Sequence, residues 1–478
     1  MLTKRDYDAV IVGSGPNGLA AAITMQQAGL SVLLIEGRDT IGGGLRTAEL
    51  TLPGFKHDIC SAIHPLAVSA PFFKTLPLDQ YGLQFIFPPV DAAHPFDDGT
   101  AATLQRSLDA TAATLGLDAD AYRSYINPLL KNWPAILPDV LAPLQWPKDP
   151  IAFAKFGLKG LPPANWTANR YFKTAHAKGL LAGMAAHAMR PLNKPITSAV
   201  ALVLLLTGHD KGWPIAKGGS QQIANALALY FKAIGGTIET GTMISSLNQL
   251  PSSHAVLFDV GPAQLLQIAG HSLSTVYKWQ LKRYKYGMGV YKVDWALAAP
   301  IPFTAQACRQ AATVHLGGTF KEIALGEQQA ENGKIAEKPF VLLAQQSQFD
   351  STRAPEEKHT AWGYCHAPKG STANLTGIIE NQVERFAPGF KDLILGRHTI
   401  NSVQMQEYNP NYIGGDINGG VQSMGQLFTR PALRWSPYQT SAKGLYLCSA
   451  STPPGGGVHG MCGYYAAKRA LKEVFGNR

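Results

Sequence analysis

Tyr7-Asp-Ala-Val-Ile-Val-Gly-Ser-Gly-Pro-Asn-Gly18 opens the stretch that decides the fold, and Glu36 closes it. Tyr7 to Val12 is a short β-branched run, the composition of a buried parallel strand. Gly13, Gly15 and Gly18 follow as GxGxxG, with Ser14, Pro16 and Asn17 between them. Leu19 to Ala28 reads as an Ala-rich helix closed by Gly29, and Ser31 to Ile35 as a second buried strand. Each position has a task. Gly13 permits a tight turn, Gly15 lets backbone approach a pyrophosphate, and Gly18 lets helix and strand pack closely. The helix start offers free N–H groups and partial positive charge to phosphates. Glu36 can accept hydrogen bonds from a ribose diol. Strand, glycine loop, helix, strand and acid in register predict a dinucleotide site, not a purely structural turn.

Gly37 and Arg38 continue past the acid, and Ile41-Gly-Gly-Gly-Leu-Arg-Thr47 brings a second glycine cluster at Gly42, Gly43 and Gly44. Such a cluster resembles the Gly-Gly extension of FAD enzymes, with Arg46 as a phosphate-side or flavin-side cation. Near the other end, Gly444 to Ala450 is a short apolar strand, and Ser451-Thr-Pro-Pro-Gly-Gly-Gly-Val-His-Gly460 is a turn cluster. A helical pattern runs from Met461 to Val474. Strand, glycine loop and helix start again make an anion site, so Ser449, Gly457, Val458 and Gly460 are expected at the cofactor. His459 is expected to contact the flavin or to cap the helix. Cys448 and Cys462 read as buried thiols in preference to a covalent flavin link. In the middle, Trp213 to Ser220 precedes a helix over Gln221 to Ala233. Thr237 to Ile244 and His254 to Asp259 are strand-like, and Met243 or Ile244 can offer backbone to adenine.

Taken together, GSGPNG…E…GGGLRT, WPIAKGGS and GLYLCSASTPPGGGVHG resemble the phytoene dehydrogenase-related flavoproteins of the amine-oxidase and carotenoid-desaturase superfamily. Leu52 to Ile59 and Asp350 to Pro368 add to the likeness, which spans nearly the whole chain. The resemblance implies an α/β fold: a discontinuous Rossmann-like FAD-binding domain (1–90, 210–262, 436–478) interleaved with an α+β substrate domain (91–209, 263–435). FAD is the implied cofactor. Gly44 stands where many relatives have Arg, and His459 sits in a loop where carotene desaturases usually lack histidine. His57 and His64 fall in a segment that runs toward the flavin in relatives; His359 and His366 read as structural.

Of the 478 residues, 46% are hydrophobic and 15% charged, against about 25% charged in an average protein. Disorder, a coiled coil and a membrane-spanning helix are excluded on composition and run length. The net charge is +10, which favours anionic partners. No acid occurs between Pro150 and His209, while seven Lys or Arg and several aromatics do. That run suits contact with an anionic bilayer surface; a solvated basic face with buried aromatics is the other interpretation. Nucleic acid is not expected, since no recognised module is present. Five cysteines without CxxC and no HExxH suggest neither disulfides nor a metal site. Cytoplasmic location, with peripheral membrane contact, is expected. The expected chemistry is hydride transfer between a C–H bond of an apolar, isoprenoid-like substrate and flavin N5, with His459 and His64 as candidates for the accompanying proton. The alternatives are an amine-oxidase-like enzyme and a protein that retains FAD but works through partners.

Overall fold

The computed structural model describes residues 5–476. Its first sheet has five strands, all parallel, in the order Leu445–Leu447, Ser253–Phe258, Tyr7–Val12, Val32–Ile35 and Thr237–Glu239. An all-parallel sheet has to be covered on both faces, and alternate residues show how. Ala9, Ile11, Leu34 and Leu257 pack beneath helices Pro16–Gln27, Gln221–Ala233 and Met461–Val474. Val10, Val12, Leu33 and Phe258 pack on helices Pro262–Ala269 and Thr275–Lys282.

The first helix begins at Pro16, three residues before the expected Leu19. Proline at the first helical position costs no hydrogen bond and presets φ. This helix crosses the last one at backbone contact: a Cβ on Gly463 would lie 1.8 Å from Asn17 O. The strand expected over residues 237–244 stops at Glu239. Gly241 turns there with φ +74°, and Thr242 N donates to Glu36 O at 3.0 Å, which brings the following residues back to the end of the second strand.

The second sheet has seven strands, in the order Ile394–Ile400, Gly289–Leu297, His359–Ala367, Val341–Ala344, Ala311–Leu316, Val90–Pro95 and Ala101–Leu104. Only the Ala311–Leu316 and Val90–Pro95 pair is parallel. One face buries Val293, Trp295 and Val314 against helix Thr376–Phe386. The other face, with Ala92, Leu342 and Trp362, meets the helical layer formed by Pro150–Gly160, Ala164–Tyr171, Ala175–Ala186 and Thr197–Lys211. Within the acid-free run, Phe156 and Phe172 belong to the core while Trp166 is exposed. Among the described residues no helix is long and apolar enough to cross a membrane.

Candidate functional site

A cavity of about 1020 Å³ joins the end of the parallel sheet to the helical layer. Gly13 to Asn17, Glu36 to Arg38, Gly43, Gly44, Arg46 and Met243 line one end. Glycine is required at Gly13, whose φ is +100°. The loops also stack: a Cβ on Gly43 would lie 3.1 Å from Gly15 Cα. Gly18, Gly42 and Gly460 are outside the lining. Gly18 acts by packing, since a Cβ there would lie 2.0 Å from Gly13 O. Gly42 N donates to Ser14 O at 3.1 Å. The Met243 side chain, half-exposed, covers Gly37, where a Cβ would meet Met243 Cε at 2.7 Å.

Glu36 is engaged by the chain itself. Its Oε2 accepts from Ser14 N at 3.0 Å; its Oε1 accepts from Arg38 N at 2.9 Å and Arg46 Nη2 at 3.1 Å. Arg46 and Glu36 are both buried, so the carboxylate offsets the arginine's charge beside the glycine loops. Two groups that sequence reasoning missed stand nearby. Asp259 Oδ2 accepts from Gly18 N at 2.9 Å, at the start of the first helix. Burial, with the charge of Glu36 adding, lifts its carboxyl to about 7. The signal for it was its place at the end of a parallel strand, level with the glycine loop. Arg430, buried against the C-terminal loop, donates to neutral oxygens: Tyr284 Oη at 2.9 Å, Ala450 O at 3.1 Å and Gly419 O at 3.4 Å. No local pattern marked it.

The residues fit a dinucleotide. At the start of the first helix Pro16 has no N–H and Gly18 N is taken by Asp259, which leaves the Asn17 N–H and the helix dipole for a phosphate. Asn17 Oδ1 is buried at the same place with no hydrogen-bond partner. Arg430 supplies positive charge on the facing wall.

The C-terminal loop brings Ser449, Gly457, Val458 and His459 to the cavity. His459 Nδ1 accepts from Met461 N at 3.0 Å, so Nε2 carries the proton and donates to Gly455 O at 3.1 Å. Nδ1 thus caps the last helix and Nε2 ties the ring to the loop before it, and burial holds the ring's pKa down at about 4. Of the two duties expected of His459, flavin contact and capping, the hydrogen bonds show the cap. Cys448 and Cys462 are buried thiols; burial raises Cys462 to about 11.

His64 differs. Ser220 Oγ donates to Ser61 O at 2.6 Å, so His64 Nε2–H donates to Ser220 Oγ at 2.8 Å. Nδ1 is left as a buried acceptor without a partner, on a ring that lines the cavity. Burial depresses its pKa to about 4. His57 lies outside the lining, bonded to Thr51 and 3.7 Å from Asp294. His366 Nδ1 meets Glu327 at 2.7 Å behind the sheet's strands and is likewise outside it.

Toward the helical layer the walls turn apolar. Phe153, Phe156, Ile196, Val200, Val203 and Leu204 face Leu342, Trp362 and Tyr364 of the second sheet, with His187 and Trp213 between. Leu144 and Leu161, 82% and 46% exposed, stand at the mouth.

The NAD(P)-binding Rossmann-like domain family matches residues 11–75. A mouse protein, pyridine nucleotide-disulfide oxidoreductase domain-containing protein 2, is 26% identical across 98% of this chain and 94% of its own. A limonene dehydrogenase component from Castellaniella defragrans is 22% identical across 99% and 96%. Among solved structures, putrescine oxidase with putrescine bound superposes with a TM-score of 0.62, at 16% identity, covering 98% and 99% of the two chains. The chain thus has a Rossmann-like dinucleotide-binding segment over residues 11–75 and shares its overall fold with putrescine oxidase.

Proposed function

We propose that the chain is an FAD-dependent oxidoreductase, phytoene dehydrogenase-related, that acts on a C–H or C=C centre of an apolar, isoprenoid-like substrate. The observation that carries this is the cavity's division: glycine loops and Arg430 at one end, aliphatic and aromatic walls at the other. Bound FAD would supply a ring that takes or gives hydride. Gly13 to Asn17 and the start of the first helix would hold its phosphates, and Glu36 and Arg46 would fix the loops around them. Ser449 to His459 would bound the ring end, with His459 stiffening the loop by capping. Val200, Val203 and Leu204 would strip water from an aliphatic chain. A relative named for the dehydrogenation of limonene, an isoprenoid hydrocarbon, supports the substrate class. Mixing the FAD-loaded chain anaerobically with prenyl or polyene lipids should bleach the visible flavin band. If no lipid class bleaches it, the substrate assignment falls.

A second reading rests on the fold shared with putrescine oxidase and on Trp362 and Tyr364 stacked 5.7 Å apart in the cavity wall. Aromatic faces can hold an ammonium group. Hydrogen peroxide released in air with an amine panel, and not with lipids, would favour it.

A further inference from the structure

Across the middle of the parallel sheet, strands Ser253–Phe258, Tyr7–Val12 and Val32–Ile35 stand side by side and end on the same side. A dinucleotide binds in the crevice outside such carboxyl ends. The loop after the first strand, Gly13 to Asn17, lies between the ends of the other two. One distant segment reaches both flanks of that crevice. It runs from Glu407, in the last turn of helix Ser402–Tyr408, to Tyr412, just before the turn Ile413–Gly415. On the flank of Val32–Ile35, Arg38 Nη2 donates to Glu407 O at 2.6 Å and to Tyr408 O at 2.8 Å. Tyr408 Oη donates to Gly43 O at 3.0 Å. Tyr412 Oη takes the space of a side chain at Gly44, where a Cβ would lie 2.6 Å from it. On the flank of Ser253–Phe258, Gly261 N donates to Asn411 Oδ1 at 2.8 Å, and Gln264 Nε2 donates to Pro410 O. The segment therefore bridges the crevice at the glycine loop, and Tyr408 to Tyr412 all line the cavity.

The way the segment is held differs between its middle and its ends. Glu407 and Pro410 are exposed, and Tyr408, Asn409, Asn411 and Tyr412 are half-buried. The segment is thus a thin wall with the cavity on one side and solvent on the other. Its ends are buried: Ser402 and Met405 before it, Gly414 to Asp416 after it. Asp416 accepts from Gly287 N at 2.6 Å and from Asn418 N at 2.9 Å, and Gly370 N donates to Gly414 O at 2.8 Å. Gly414 and Gly415 turn the chain at that end with φ of +66° and +85°, a region that favours glycine. Fixed ends, and a middle tied to its neighbours by a few hydrogen bonds, let the wall open without cost to the core.

We propose that residues 407–412 form a strap that closes the dinucleotide crevice and gates entry and release of the cofactor. The proposal rests on the cofactor part of the proposed function and is independent of the substrate class. With the latches to Arg38, Gly43, Gly261 and Gln264 made, the crevice is bridged; with them broken, the glycine loop is open to solvent. Gates of this kind set exchange rates. A gate and a plain contact differ in kinetics. Removing a contact to the cofactor speeds dissociation alone. Removing a latch raises the open fraction, so association and dissociation both speed up and affinity changes little.

Two measurements on the full chain test the strap. The first is hydrogen–deuterium exchange of the native chain freed of cofactor, read by mass spectrometry, with ADP and FAD as probes. Amides of 407–412 should exchange at least tenfold faster than those of Gly414 to Asp416, and saturating ADP or FAD should slow them at least tenfold. The second is stopped-flow FAD binding read by flavin fluorescence. Tyr408→Phe and Gln264→Ala, which remove one latch on each flank, should each raise association and dissociation at least threefold and change affinity less than twofold. Exchange at 407–412 that neither probe slows overturns the proposal, as does a rise in dissociation alone in both variants. Protection by ADP in a chain that does not bind FAD would leave the strap standing and sink the FAD assignment.

Discussion

Asp259 places a carboxyl at the helix start that a cofactor phosphate would use, hydrogen-bonded to Gly18 N. Its folded pKa is raised to about 7, so below that pH it is neutral and above it adds a negative charge. FAD affinity should therefore fall as pH rises through about 7, by about tenfold from pH 6 to pH 8, since binding is linked to one proton. Asp259→Asn should remove the dependence; flavin fluorescence titration reads both. At this scale the sequence is half legible. Gly13, Gly15, Glu36 and the second glycine cluster are local, and their spacing states their task. Arg430 gains its place from partners far along the chain, Tyr284 among them, and spacing carries no trace of that. The capping duty of His459 is legible from its place just before the last helix, whereas the pairing of Arg46 with Glu36 is not read from spacing alone.

Helices and strands are legible where their periodicity is complete and poorly so where a turn intervenes, as at Gly241. The contact between the first and last helices depends on one residue that no pattern distinguishes. Gly463→Val should push Met461–Val474 off Pro16–Gln27, because a Cβ has no room beside Asn17 O. Overpacking of this kind costs about 3 kcal/mol, and a lower urea midpoint with loss of retained FAD would show it. Helix Pro150–Gly160 makes a different prediction. Its exposed Ile151 and Leu158, with exposed Trp146 and Leu144 before it and Lys148 and Lys155 nearby in sequence, make an apolar and basic surface, of which Leu144 also lines the cavity. Such a surface suits docking on anionic lipid. The chain should co-sediment with phosphatidylserine-containing vesicles, less so at high salt, and Ile151→Glu with Leu158→Glu should abolish it while FAD is retained. Equal binding by the double variant would count against docking through this helix.

Across the whole molecule, buried histidines set the response to acid. Burial depresses His57, His64, His94, His209 and His459 to about 4, and His187 to about 3, from 6.5. The unfolded chain binds more protons than the folded one between those values. Their stabilising effect is complete above pH 6.5 and is lost as pH falls toward 4. Asp91 and Asp259, raised to about 6 and about 7, act in the opposite sense below their folded values. With His315 and His359 also lowered and Asp416 also raised, eight histidines against three carboxyls predict a net loss, seen as a lower urea midpoint at about pH 5 than at neutral pH. The glycine-rich, low-charge composition has the same source as the site. Glycine gathers in the loops that line one end of the cavity, and aliphatic and aromatic side chains line the other.

If those walls take an apolar chain onto an FAD-bearing site, a lipid and not an amine should reduce the flavin. Anaerobic stopped-flow reduction of the FAD-loaded chain, with a prenyl lipid and with a diamine in parallel, separates the two. The expected result is bleaching of the flavin band by the lipid and not by the diamine, slowed at least tenfold in Val203→Asp, which puts a charge in the apolar wall. Bleaching by the diamine alone, or by the lipid at an unchanged rate in Val203→Asp, would contradict it.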